Sequence, residues 1–351
     1  MGLIVGSSTV AGHGIDGGAE RAYDCAAARL ERMLHRACGG REDRAPLTLR
    51  ADVEWPEAIT GGTLLESWPK TAGVGHHPRE IADGESITIT SPGPCTGFWI
   101  GFREGVGTGT VTAAIDGGAA EPVPLVTEKQ TLKSGAGGET WDYDDAWTGQ
   151  WESGRLDRAQ HTLVITVTGG STAVDFVRFH DDDEERGAVL LNDGWGGQRL
   201  FDHTFMNSMR QRLQSINPDF VLVYSGANEQ ARDVTHEQME KSVTLLVENT
   251  SWAPDAPIPV VLVSQWGRSR PGWDRTIVTD PMAAAAAAEP HRVSFIDGDD
   301  ILPQDTAVAK AAGLVGPDGV HSPAAGQAVV ADALARAMGL WNRNGARFPT
   351  E

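Results

Sequence analysis

At 351 residues the chain is long enough for two domains, and its net charge of −19, from 48 acidic against 29 basic side chains, makes it strongly acidic. Such a surface repels phosphate backbones and anionic lipid, which argues against nucleic-acid and membrane-surface partners. No apolar run approaches the roughly 20 residues of a membrane span, and the strand-like segment beginning at Leu3, without a basic region or cleavage site, is not expected to be a secretory leader.

In chain order, Leu3–Val5 reads as a short buried strand, followed by a helix with Ala22, Ala26, Leu30, Leu34 and Ala37 on its apolar face. From Gly39 to Arg186 the pattern changes. This stretch is rich in Gly and Pro, and Ile87/Ile89, Val111/Ala113/Ile115 and Leu163/Ile165/Val167 alternate with period two. Asp116-Gly117-Gly118 predicts a turn, and the acidic run Asp181–Glu185 a solvated exit. Beyond it the continuous apolar runs return, at Ala188–Leu191, Phe220–Tyr224, Val260–Val263 and Val293–Ile296. Such runs suit parallel strands covered on both faces. Ala283–Ala288 reads as alanine-rich helix, and Ser322-Pro323 as the cap and first turn of a last helix carrying Val330, Leu334 and Met338.

The βα alternation predicts a three-layer α/β/α sandwich around a five-stranded parallel sheet, with an antiparallel β-sandwich inserted after the first helix. The expected boundaries are residues 1–38 and 187–351 for the α/β domain and 39–186 for the insert. Cys25, Cys38 and Cys95 form an odd set without metal spacing, leaving room for at most one disulfide.

Four short motifs follow strands or precede the last helix. Gly6-Ser7-Ser8 ends the first strand, where open α/β sheets bind ligands, and offers a hydroxyl nucleophile. Asn192-Asp193-Gly194-Trp195-Gly196-Gly197 follows the second, and Gly226-Ala227-Asn228-Glu229 the third. Backbone N–H groups and an asparagine amide at such turns are suitable oxyanion donors. Asp318-Gly319-Val320-His321 supplies a general base with a carboxylate three residues earlier to fix its tautomer. Each motif alone also reads as an ordinary turn. Their joint order is what carries the chemistry.

That order resembles the SGNH (GDSL-type) hydrolase family over residues 1–38 and 187–341. The resemblance implies a flavodoxin-like sheet and a serine ester hydrolase that needs no cofactor or catalytic metal. In the family the third residue of Gly-Asp-Ser attacks, which selects Ser8 and leaves Ser7 in the aspartate's place. The implied triad is Ser8, Asp318 and His321, and the implied oxyanion donors are Ser8, Gly197 and Asn228. Glu229 stands where the family usually has Asp.

Other residues are candidates for substrate contact. Trp195 and Trp266 are pocket walls or core, and His13 lines the pocket or a solvated loop. His76-His77 lacks further metal ligands at suitable spacing. Trp141, Tyr143, Trp147 and Trp151 cluster with Asp142, Asp144 and Asp145, a composition suited to gripping a sugar, filling the sandwich core or binding calcium. The strand rhythm of the insert is similar to galactose-binding-type jelly rolls. The expected partner is therefore a carbohydrate ester, foremost an O-acetylated cell-wall or plant polysaccharide. The alternatives are a lipid or envelope ester, as for a phage tail component, and a non-catalytic glycan-binding protein.

Overall fold

Leu3, Ile4 and Val5 are all buried, because the strand that carries them lies inside a five-stranded parallel sheet and needs apolar residues on both faces. The computed structural model describes residues 1–6, 15, 24–41, 47–50, 58–64, 79–103, 110–124, 131–133, 140–142, 148–181, 188–194, 199–201, 204, 209, 213, 216–251, 257–266 and 274–340. The parallel strands are β1 (Gly2–Gly6), β2 (Leu190–Gly194), β3 (Phe220–Ser225), β4 (Val260–Ser264) and β5 (Val293–Ile296). Their spatial order is β2-β1-β3-β4-β5, the flavodoxin-like arrangement.

The helices are α1 (Ala26–Ala37), α2 (Ala227–Ala231), α3 (His236–Asn249), α4 (Thr276–Ala288), α5 (Thr306–Ala311) and α6 (Ala324–Ala337). Alternate strand residues face opposite layers. Leu3, Val5, Val221 and Val223 pack with Met239 and Leu246 of α3 and Met282 of α4. Ile4, Leu222 and Tyr224 pack with Leu30 and Leu34 of α1 and with Val330 and Leu334 of α6. This is the three-layer sandwich that the sequence predicts.

Two local expectations change. The second strand starts at Leu190 and runs on to Gly194, because Asn192, Asp193 and Gly194 keep register with Ile4, Val5 and Gly6. Its last three residues are not apolar, so a hydrophobic run stops short of them. The last helix begins one residue later than a Ser322 cap requires. Pro323 takes the cap position with extended ψ 175, while Ser322 is fully buried and its hydroxyl has no hydrogen-bond partner among the described residues. The three cysteines are free, with Cys25 and Cys95 buried and Cys38 exposed.

Apart from a separate two-stranded pair, Thr131–Lys133 with Thr140–Asp142, the antiparallel strands form an additional β unit of two facing sheets. One runs Thr148–Glu152, Gly97–Arg103, Ser171–His180, Arg79–Ala82, Thr63–Leu64, with Leu47–Arg50 also paired to Ser171–His180. The other runs Ile59–Gly61, Ser86–Thr90, Thr162–Val167, Val111–Ile115, Glu121–Val123. Ile87, Ile89, Val111, Ala113, Leu163, Ile165 and Val167 share a core with Phe98, Ile100 and Phe102, as their period-two spacing predicts. The Asp116-Gly117 turn holds φ 52 and 72, the left-handed pair that matches hairpin twist. Asp181 is buried and paired to Arg158, so the acidic run starts inside the fold, and residues 182–185 lie outside the described residues.

Ser171–His180 is buried on both faces. Val174, Val177 and Phe179 enter the sandwich core, whereas Phe176 joins Trp99, Leu3, Val5 and Leu191 in the α/β core. At the same junction Arg178 donates to Glu31 Oε1 at 3.2 Å, and the Leu190 N–H donates to the same oxygen at 3.0 Å. Arg178 is 1% exposed and Glu31 4%, so neither charge has water to fall back on. Removing the carboxylate takes a buried acceptor from both Arg178 and the Leu190 N–H. Glu31→Ala is therefore expected to cost about 3–5 kcal/mol in urea unfolding. A loss below about 1 kcal/mol would show that the junction does not depend on this carboxylate.

Candidate active site

Every parallel strand points its carboxyl end at one edge of the sheet, and the candidate residues gather along it. Gly6 ends β1 between Gly194 of β2 and Tyr224 of β3. The chain leaving Gly6 enters the 7–14 segment, so Ser7, Ser8 and His13 lie outside the described residues. So do Trp195, Gly196 and Gly197 beyond β2. At the end of β2 the Asn192 carboxamide accepts from the Gly194 N–H at 3.0 Å, closing the strand end on itself.

The turn after β3 is built in more detail. Gly226 has φ 145, and a Cβ there would lie 3.2 Å from both the Cβ and the N of Gln265. Only glycine meets both demands. The Gln265 N–H donates to the Ser225 carbonyl at 2.8 Å, and the Ala227 N–H donates to Gln265 Oε1 at 3.1 Å. Asn228 is thereby held in the first turn of α2, half-buried.

Glu229 follows it and is 1% exposed. Its Oε1 accepts from the Leu200 N–H at 2.6 Å and from Ser225 Oγ at 2.7 Å, and its Oε2 accepts from the Gly226 N–H at 2.8 Å. Burial raises this carboxyl above its ordinary value, against the lowering effect of the donors. Sequence reasoning took Glu229 only as a departure from a motif. The spacing of Gly226 at the cap and Glu at the third helical position was the available signal, since it is that of a capping box.

Asp318 and His321 are brought together as predicted. The His321 ring Nδ1 lies 2.6 Å from Asp318 Oδ2, while Asp318 Oδ1 accepts from the Val320 and His321 N–H groups at 2.8 and 3.0 Å. One oxygen fixes the loop and the other fixes the ring. Burial alone would raise the Asp318 carboxyl, but these donors outweigh it and hold it below the ordinary carboxylate value. The His321 carbonyl accepts from the Gly316 N–H at 2.7 Å, and Lys310 Nζ donates to the Pro317 carbonyl at 2.7 Å.

Fully buried Gln327 ties this loop to the rest of the edge. Its Oε1 accepts from the Ala26 N–H at the start of α1 at 3.0 Å, and its Nε2 donates to the Ser322 carbonyl at 3.3 Å. In a βα unit the helix after β1 starts at the carboxyl edge of the sheet. The His321 loop therefore borders the edge at which β1 and β3 deliver Gly6 and Asn228. On the far side, Arg275 pairs with Asp297 and Asp299 and donates to Ser264 Oγ at 3.1 Å, clamping the ends of β4 and β5.

The aromatic candidates separate. Trp266 is 3% exposed and packs 6.2 Å from the Tyr224 ring in the α/β core. Trp151 packs against the sandwich core and is partly exposed. Tyr143 to Trp147 and His76-His77 lie outside the described residues, as does the side chain of Trp141. Among the described residues, no helix is long and apolar enough to cross a membrane.

No protein-family model matches the chain, and no characterised protein matches it by sequence. Solved structures do. A peptidoglycan O-acetylesterase aligns at TM-score 0.65 and 15% identity, over 96% of this chain and 90% of that one. The two chains share a fold. Looser alignments reach a family two carbohydrate esterase from Cellvibrio japonicus (TM-score 0.30, 11% identity, 84% of this chain and 98% of that one). Another, from Clostridium thermocellum in complex with cellohexaose, gives TM-score 0.33 and 14% identity over 80% and 99%. Because the first alignment is nearly end to end, the likeness takes in the antiparallel sheets together with the parallel sheet.

The donors on Asp318 have a consequence for acid stability. Its folded value lies below its unfolded one, so its stabilising contribution is complete above about pH 4 and is lost as pH falls through the folded value. The melting-temperature gap between the protein and Asp318→Asn should therefore shrink as pH is lowered below about 4. A gap that stays constant to pH 2 would mean that the carboxylate holds no special bonds.

Proposed function

We propose that the protein is a serine-type ester hydrolase acting on O-acyl groups, foremost O-acetyl, of a carbohydrate or cell-wall polysaccharide. The observation that carries this reading is the Asp318–His321 pair. Its carboxylate oxygen 2.6 Å from Nδ1 sets the tautomer in which the other ring nitrogen, Nε2, is the base. The pair borders the edge where β1 delivers the Gly6-Ser7-Ser8 segment and where Asn228 begins α2. In this reading Ser8 Oγ attacks the ester carbonyl while His321 takes its proton. Negative charge gathers on the carbonyl oxygen, where the Ser8 and Gly197 N–H groups and the Asn228 amide donate to it. His321 then returns the proton to the leaving alcohol and activates water to release the acyl group. Acetyl as the acyl group, and polysaccharide as the carrier, are supported by the likeness in fold to an O-acetylesterase and by the additional β unit.

Ser8→Ala should lower kcat on a nitrophenyl acetate by several orders of magnitude, and a fluorophosphonate should label Ser8 in the intact protein. A label mapped to Ser7 would move the nucleophile by one residue. Asn228→Ala should lower kcat by about 10²–10³ with KM nearly unchanged, as loss of one oxyanion donor does. A change confined to KM would make Asn228 a substrate-binding residue instead.

The aromatic cluster divides in this scheme. Trp147 belongs to the proposed sugar grip, so Trp147→Ala should spare the small ester and reduce acetate release from an acetylated polysaccharide. Trp151 packs on the sandwich core, so Trp151→Ala should lower the melting temperature and weaken both activities together. Equal loss on both substrates for Trp147→Ala, with unchanged stability, would remove the grip.

A further inference from the structure

The reaction scheme assigns no work to Glu229, although it is among the most completely enclosed carboxyls of the molecule. Three donors from three positions in the chain converge on it, and they are not equivalent. Ser225 Oγ and the Gly226 N–H belong to the end of β3 and the turn that delivers Asn228. The Leu200 N–H belongs to a different segment, three residues beyond Gly197, and makes the shortest of the three contacts at 2.6 Å.

We propose that Glu229 is a positioning residue that fixes the turn presenting Asn228, one of the three oxyanion donors, by bracing it against the chain at Leu200. The inference rests on the reading of Asn228 as an oxyanion donor. Successive helical residues are set about 100° apart around the axis, so a Glu229 side chain locked inward fixes the direction from which Asn228 leaves the same turn. The other end of the brace limits how far the Leu200 segment can move from that turn. Oxyanion donors act by being in place before charge develops, and misplacement of a donor by an ångström forfeits much of the effect. A buried carboxylate suits this task. It accepts several short bonds at once and cannot be replaced by water without opening the core.

Glutamine at this position keeps the size but puts an NH₂ donor where N–H and O–H donors now converge. Glu229→Gln is therefore expected to lower kcat on a small ester about 10–100-fold, below the roughly 10²–10³ cost of a lost donor, with KM within about twofold. The decisive reading is the double variant with Asn228→Ala. If Glu229 acts through Asn228 and its partner segment, the two losses will be strongly sub-additive. Full additivity, or an unchanged kcat in Glu229→Gln, overturns the proposal.

Should Glu229→Gln fail to fold, Ser225→Ala decides in its place. It removes one donor to the brace and leaves the carboxyl. A several-fold fall in kcat at constant KM, again sub-additive with Asn228→Ala, supports the coupling, and wild-type turnover refutes it. The underlying reading fails separately. If Asn228→Ala alone leaves kcat intact, Asn228 is no oxyanion donor. If it costs kcat while the Glu229 and Ser225 variants do not, only the brace is wrong.

Discussion

Each strand of a parallel sheet needs a crossover to bring the chain back to its starting end, and the crossovers must be packed on both faces of the sheet. In this molecule that requirement divides alternate residues of β1 between two cores, Leu3 and Val5 on one side and Ile4 on the other. It also leaves all five carboxyl ends along one edge, with the polar turns placed there because the faces are already taken. Gly6, Gly194 and the Ser225-Gly226 turn lie side by side because β1 is hydrogen-bonded to both β2 and β3. The sheet thus gathers residues that are more than 200 positions apart in the sequence without any of them needing to contact another.

Gathering is not the same as holding, and the holding falls to polar side chains that the cores exclude. Although the chain carries a net charge of −19, several of its acids are not solvating groups. Glu31 receives Arg178 and the first N–H of β2, Glu229 receives two segments beyond β2 and β3, and Asp297 receives Arg275. Asp318 organises its own loop before it touches the histidine ring. In each case a carboxylate satisfies backbone donors or a cation at a strand end or helix start, where regular structure runs out of partners. Buried amides serve equally, as Gln265 and Gln327 show.

The sequence carried the layers and the Asp318–His321 pair plainly, because both are local patterns. Apolar runs mark strands, and an Asp three residues before a His is readable as a unit. It carried less where polar residues sit in regular structure. β2 continues through Asn192 and Asp193, which no hydrophobic scan would include, and the cap of α6 falls on Pro323 because Ser322 is drawn fully into the interior. Least legible were the braces. Glu31 and Arg178 are separated by 147 residues, and Glu229 and Leu200 by 29, and nothing in composition or period couples such positions. Only the sheet order brings them within reach of each other.

The same kind of contact decides how the additional β unit relates to the parallel sheet. Two modules joined by flexible linkers act through effective concentration, and each keeps its own closed core. Ser171–His180 belongs to neither case. Its Val174, Val177 and Phe179 fill the sandwich, and its Phe176, beside Trp99, completes the core under β1 and β2. Separating the two bodies would expose those rings and take Arg178 away from Glu31. The antiparallel sheets are thus part of the wall against which the parallel sheet is built. Any polymer they touch would be presented to the sheet edge in a set geometry, with no tether to search for it.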